Sequence, residues 1–188
     1  MSHDLASRPA TLADVPLMAQ LVDMAGEGLP MTLWAAMVQG DETPMDVGMA
    51  RASRDEGAFS WRNAVVGTVD GASKGMIITY DVATEPEEIT PDLFVPLIEL
   101  ENMAPGTLYV NVLAVLPDAR GKGLGRSLLK EALAARPAGQ GASIILAAGN
   151  DAAEALYHSL GFREVARRPL VKGDWDTDRT EWVLLVLE

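Results

Sequence analysis

Residues 108–126 read LYVNVLAVLPDARGKGLGR, and this stretch decides the architecture of the chain. Leu108 to Leu116 is a near-continuous apolar run of strand length, as expected of a strand buried on both faces. A loop follows from Pro117 to Lys122. A helix is then expected from Gly123 to Ala135, with Leu124, Leu128, Ala132 and Ala135 along one face and Pro137 as its stop. A helix start carries backbone N–H groups without internal partners and the positive end of the macrodipole. Glycine at 121, 123 and 125 removes the Cβ atoms that would keep an anion away from those donors. Arg120, Lys122 and Arg126 gather positive charge at the same point, in a chain with 27 acidic and 15 basic residues. The segment lacks the Gly-x-x-x-x-Gly-Lys-Ser/Thr of a P-loop, and a dinucleotide fingerprint counted from Gly121 would need glycine where Arg126 stands. Taken alone, a tight strand-to-helix turn with solvated basic neighbours explains the glycines as well as phosphate binding does.

Further along, residues 150–162 read NDAAEALYHSLGF. Asn150 or Asp151 can cap a helix over Asp151 to Leu160, and Asp151 with Glu154 has capping-box spacing. Gly161 suits a left-handed cap, with Phe162 folding back on the last turn. Ala153, Leu156, Tyr157 and Leu160 share one face, so Tyr157 points inward with a hydroxyl that needs a partner. A core tyrosine bonded to a carbonyl would be the ordinary account of it. His158 lies about 100° further round and reads as a solvated or edge side chain.

Upstream, a helix is expected after Thr11 to Pro16, carried by Leu17, Leu21 and Met24. A second short helix fits Met31 to Val38, and a third falls within residues 40–57. Trp61 to Val69 and Lys74 to Tyr80 read as strands joined by a turn at Asp70-Gly71. The proline- and acid-rich stretch from Glu85 to Pro105 reads as an insertion or lid with a short helix near Leu97 to Asn102. Ser143 to Ala147, Phe162 to Leu170 and Glu181 to Leu187 complete the strands. Alternating strands and helices in the second half imply a mixed sheet with parallel neighbours.

Composition narrows the function classes. The 188 residues suit one compact domain, and an apolar fraction of 48% can fill a core. Mean hydropathy is +0.11, and no apolar run approaches membrane-span length. The polar start, Met1 to Pro9, lacks a signal-peptide core, so cytoplasmic residence is the default expectation. There is no cysteine and there are two histidines, which argues against disulfides, thiolate metal sites and covalent cysteine chemistry. A net charge of -12 disfavours a nucleic-acid partner and favours a cationic ligand, although solubility alone explains many acidic surfaces.

Together the two segments resemble the GCN5-related N-acetyltransferase (GNAT) family. Arg120-Gly121-Lys122-Gly123-Leu124-Gly125 looks like its Arg/Gln-x-x-Gly-x-Gly/Ala coenzyme A motif, with Val115-x-Pro117 before it. Asn150-x-x-Ala153-x-x-Leu156-Tyr157-x-x-x-Gly161-Phe162 is similar to its second motif, and Arg8-Pro9-Ala10-Thr11 to Asp14 is a weaker match to its opening. The resemblance implies one α/β (mixed α+β) domain over residues 1–188, best supported over 108–162. It implies a mostly antiparallel sheet of six to seven strands, splayed between two central parallel strands and flanked by about four helices. Acetyl-coenzyme A would be the co-substrate, with no metal. Its pantetheine arm would meet the backbone around Leu113, Ala114 and Val115, and its diphosphate the N–H groups of Gly121 to Gly125 near Arg120, Lys122 and Arg126. Asn150 and Ala153 would lie along the cofactor, and Tyr157 would approach its sulfur.

For such a reaction an amine with a pKa of about 10.4 must lose a proton, while a phenol with a pKa of about 10 stays protonated and can donate to a leaving thiolate. Backbone N–H groups of the splayed strand can face the developing oxyanion. With no cysteine present, direct transfer in a ternary complex is the simplest route. The general base is left open among Glu99 and Glu101, which a solvated acidic lid also explains, and a water steered by Tyr109 or Asn111. The implied acceptor is an amine-bearing small molecule or peptide; neither nucleic acid nor membrane is expected, and a homodimer is allowed. Two other classes stay open: a non-catalytic acyl-coenzyme A-binding regulator and a nucleotide-binding regulator. Trp34, Trp61 and Trp175 can line an acceptor pocket, with core packing the commoner role.

Overall fold

The computed structural model describes residues 3–86 and 92–188. The chain forms two compact units, Met1–Thr79 with Val112–Ala134 and Tyr80–Asn111 with Ala135–Glu188. The first unit holds β1 (Leu5–Pro9), α1 (Val15–Ala25), α2 (Leu29–Ala35), α3 (Pro44–Ala52), β2 (Ala64–Val69), most of β3 (Ala72–Asp81), the end of β4 (Leu108–Val115) and α5 (Leu124–Ala134). The second holds α4 (Val95–Glu101), the start of β4, β5 (Ala142–Ala147), α6 (Asp151–Ser159), β6 (Arg163–Pro169) and β7 (Glu181–Leu187). The strands run in the order β1-β2-β3-β4-β5-β7-β6. β1 with β2, β2 with β3, β5 with β7, and β6 with β7 are antiparallel. β4 and β5 are parallel, pairing Leu108 with Ala142 and Tyr109 with Ser143 at the start of both strands. The described residues contain six α-helices where about four were expected.

In the first unit Met18, Leu21, Trp34, Val66, Met76, Ile78, Val112 and Ala114 form one buried cluster. Trp34 belongs to this core and stacks on Phe59 at 6.0 Å. Its ring lies where a Cβ on Gly48 would sit, 2.5 Å away, so α2 and α3 meet at a glycine. The hairpin between β2 and β3 turns on Asp70 and Gly71 at φ 50° and 83°, the left-handed pair that matches strand twist. Gly67 and Gly75 oppose each other across this hairpin. A Cβ on Gly67 would stand 2.8 Å from Leu124, and one on Gly75 2.9 Å from the Ala114 carbonyl oxygen. This glycine pair seats α5 on the sheet. The buried face of α5 is Leu124, Leu128 and Leu129; Ala132 is half-buried and Ala135 exposed, because the helix ends before its fourth expected contact.

In the second unit α4 packs on β5, β6 and β7 and buries Pro96 and Leu100. The expected lid is therefore, over Val95–Glu101, a packed layer of the fold; residues 87–91 of that expectation lie outside the described residues. Trp175 stacks on Trp182 at 5.9 Å and is buried. Ser143 and Thr107, both buried, share a hydrogen bond of 2.7 Å, so neither polar group is left unmet.

Candidate active site

β4 alternates along its second half. Val112 and Ala114 are buried, while Asn111, Leu113 and Val115 are half-buried. The expectation of burial on both faces is corrected: one face of this strand keeps apolar side chains partly accessible. After Val115 the chain is pinned by Leu116 N–H donating to the Lys74 carbonyl at 2.8 Å, and it then makes a short 3-10 turn at Pro117–Ala119.

Beyond Arg120 the backbone turns left-handed twice, at Gly121 (φ 74°) and Gly123 (φ 90°). Alternating hand along a chain turns successive N–H groups toward one point, an anion-binding concavity. The first bond of the α5 ladder is Ser127 N–H to the Gly123 carbonyl, 3.0 Å. Among the described residues none of the N–H groups of Gly121, Lys122, Gly123, Leu124 and Gly125 has a hydrogen-bond partner. Nothing lies within 4 Å of the place a Cβ would occupy on Gly121. Lys122 is half-buried, and its charge helps hold the carboxyls of Asp70 and Asp118 below their ordinary range, after the stronger bonds from His3 and Lys74 respectively. Arg120 is tied back: Nε donates to the Val115 carbonyl at 3.2 Å and Nη2 approaches Met24 Sδ at 3.4 Å. It braces the loop against the end of β4. Arg126 is exposed on the first turn of α5.

In the second unit α6 begins with Asn150, whose Oδ1 accepts the Ala153 N–H at 3.3 Å. Glu154 accepts from Gly149 N–H at 3.2 Å, so it closes the turn ahead of the helix, and Asn150 rather than Asp151 is the cap. Ala153, Leu156 and Leu160 are half-buried, leaving Tyr157 as the buried member of that face. Gly161 is left-handed at φ 98°, which lets Phe162 N–H return to the Tyr157 carbonyl at 3.2 Å. The Phe162 ring stands edge-on to Tyr157 at 5.6 Å. Tyr157 is 3% exposed, and burial pushes its phenol above the ordinary value. His158 is exposed and bonds the Phe162 carbonyl at 3.0 Å through Nδ1.

Tyr109 on β4 is also buried. Burial raises its phenol most, the charge of Glu101 and the neighbouring Tyr157 add to the rise, and the Ile145 N–H opposes it. Tyr80 packs on Tyr109 at 5.2 Å and donates its hydroxyl to both Glu101 oxygens at 3.1 and 3.2 Å. Glu99 is engaged differently, bonding Arg168 Nε at 2.6 Å. Tyr80 and Tyr109 thus stand together beside the Glu101 carboxylate, and Tyr109 also feels Tyr157. Tyr80 escaped sequence reasoning; its pairing with Glu101 joins residues 21 apart and no local pattern signals it. Asn111 is half-buried on β4. Among the described residues no three His, Cys, Asp or Glu side chains converge as a metal site, and no helix is long and apolar enough to cross a membrane.

The family model for an acetyltransferase (GNAT) domain matches residues 46–164. No curated protein matches the sequence significantly. Among solved structures, an N-acetyltransferase from Staphylococcus aureus superposes with a TM-score of 0.69 at 18% identity, over 97% of this chain and 100% of that one. YncA of Salmonella typhimurium, solved with its cofactor acetyl-CoA, gives 0.58 at 23% identity over 98% and 93%. Arabidopsis thaliana Naa50, in complex with the bisubstrate analogue CoA-Ac-MVNAL, gives 0.59 at 13% over 98% of each chain. At these identities the likeness is one of fold.

Proposed function

Since the chain belongs to the GNAT acetyltransferase family, whose domain model covers residues 46–164, we propose that it transfers an acetyl group from acetyl-coenzyme A to a primary amine of a small molecule or peptide, by direct transfer. The observation that carries this reading is the run of five backbone N–H groups from Gly121 to Gly125 without partners among the described residues. Unpaired amides at a helix start are costly unless solvent or an anion meets them. A diphosphate fits the glycine-lined concavity because Gly121 and Gly123 present no Cβ to it. Lys122 adds a cation at the same place. The half-buried Leu113 and Val115 suit the apolar part of a pantetheine arm, with Ala114 supplying backbone between them. Asn150 and Ala153, at the start of α6, are proposed as cofactor-binding residues on the family resemblance alone.

When bound, acetyl-coenzyme A supplies a thioester, at which the acceptor nitrogen bonds to the acyl carbon as the carbon–sulfur bond breaks. Tyr157 holds a proton on its hydroxyl at neutral pH, since burial raises its phenol, and it donates that proton to the departing sulfur. Glu101 receives the proton the amine gives up, directly or through a water. It is chosen because its charge is felt at the buried Tyr109 phenol, which also feels Tyr157. Tyr80 orients the carboxylate by donating to both of its oxygens. Tyr109 is buried and stays protonated beside them. The net charge of -12 favours a cationic amine over an anionic acceptor.

Free thiol release from acetyl-coenzyme A, followed across a panel of primary amines, tests the proposal. An amine-dependent rate that Tyr157→Phe lowers is the expected result. Binding of coenzyme A with no thiol release for any amine would instead make the chain a non-catalytic acyl-coenzyme A binder.

A further inference from the structure

Arg51 stands in the last turn of α3 and Arg54 follows just after it. Like charges one turn apart repel. In a chain with 27 acidic and 15 basic residues, among the described residues neither guanidinium has a carboxylate within ion-pair distance. Burial draws the Arg51 guanidinium below its ordinary value, and the Arg54 charge draws it further. Arg51 Nη1 approaches a thioether, Met37 Sδ, at 3.8 Å, and Arg54 Nε donates to the Arg51 carbonyl at 3.1 Å. The negative end of α3 favours a cation here, yet it does not supply acceptors for the five N–H donors of a guanidinium.

Both arginines line an open surface groove of about 380 Å³, with Met37, Val47, Ala50 and Glu42 among its other walls; Arg54 is exposed there and Arg51 half-buried. Two guanidiniums and one carboxylate give the lining a formal charge of +1, the complement of a single anion. The volume lies at the small end of small-molecule sites. We propose that this groove binds a small organic monocarboxylate with an apolar body, its carboxylate between Arg51 and Arg54 and its hydrocarbon against Met37 and Val47. A carboxylate matches the planar fork of arginine in two-point contact. Glu42 on the wall sets the groove against a phosphate dianion. The carboxylate can come from a free acid or from an acceptor that bears one beside its amine.

Calorimetry on the full chain with hexanoate, and with inorganic phosphate as the contrast, reads this site without acetyl transfer, so the outcome is independent of the proposed activity. Hexanoate is expected to bind at millimolar concentration or below and more tightly than phosphate. Arg51→Gln and Arg54→Gln are each expected to weaken hexanoate about tenfold or more, with coenzyme A affinity unchanged. Arg51→Lys, which keeps the charge and loses the fork, should weaken it severalfold and stands in if the glutamine variant fails to fold. A KM raised in Arg51→Gln for carboxylate-bearing amines alone would make the acceptor the source. Hexanoate that binds without competing with the amine would make a free acid the source. No heat with hexanoate, equal binding of phosphate, or wild-type hexanoate affinity in the variants would overturn the proposal.

Discussion

Gly123→Ala separates the cost of a left-handed backbone from the cost of filling the loop. Gly123 sits at φ 90°, and a Cβ there would meet Leu5 Cδ1 at 3.8 Å, ordinary contact. Folding then loses only the left-handed penalty, about 1–2 kcal/mol, and a chain of this size melts about 2–8 °C lower. Coenzyme A loses more, because the new methyl holds a phosphate oxygen away from the amides beside it. One charge-assisted hydrogen bond is worth about 1.5–3 kcal/mol, so the dissociation constant should rise about tenfold to 150-fold. Gly139→Ala is the matched control. Gly139 is left-handed at φ 82° with nothing within 4 Å of its Cβ position, so it carries the same backbone penalty outside the loop. Thermal melts should show both variants lowered alike, while calorimetry with coenzyme A should show weakening in Gly123→Ala alone. Unchanged affinity in Gly123→Ala, or equal weakening in both, would mean that the amides around Gly123 do not hold the phosphate.

Tyr157→Phe should slow acetyl transfer by on the order of tenfold to a thousandfold with coenzyme A affinity nearly intact; full activity would remove its role as the acid. Glu101→Gln should lower kcat/KM by about a hundredfold or more, and Glu99→Gln by much less, in the same thiol-release assay. Gly75→Ala drives a methyl to 2.9 Å from the Ala114 carbonyl oxygen and should cost about 1–3 kcal/mol, read in denaturant midpoints together with weaker coenzyme A binding. Asp14 receives two bonds of 2.7 Å from Arg8, and these, helped by Thr11, bring its carboxyl from 3.8 down to about 2 against the opposing effect of burial. Its folded pKa is depressed, so its contribution of about 2 kcal/mol is present above pH 4 and lost as pH falls toward 2. Asp14→Asn should flatten the acid limb of stability in that window.

What the sequence disclosed follows the range of the interactions involved. The helix at Asp151–Ser159, the turn at Asp70-Gly71 and the strand Glu181–Leu187 are governed by neighbours within a few residues, and their signals stand in the chain. The loop from Arg120 to Gly125 is legible for the same reason: its glycines and its helix start are consecutive. Partners remote in sequence were not legible. Gly67 and Gly75 look like weak points in strands until α5 is seen to need the space they leave. Leu97 to Asn102 read as part of a lid because polar and proline-rich flanks surround it, yet Leu100 is fully buried against the sheet. The partners of Glu99 and Glu101, Arg168 and Tyr80, stand 69 and 21 residues away. The half-open face of β4 shows why an apolar run alone overstates burial: Leu113 and Val115 are apolar for a ligand as readily as for a core.

Amide spectra of nitrogen-labelled protein, recorded as coenzyme A is added, read the loop amides one by one. The signals of Gly121, Lys122, Gly123, Leu124 and Gly125 are expected to move together and saturate with one affinity, while Gly139 stays still. Saturable binding that leaves those five signals in place would mean that these amides do not hold the cofactor.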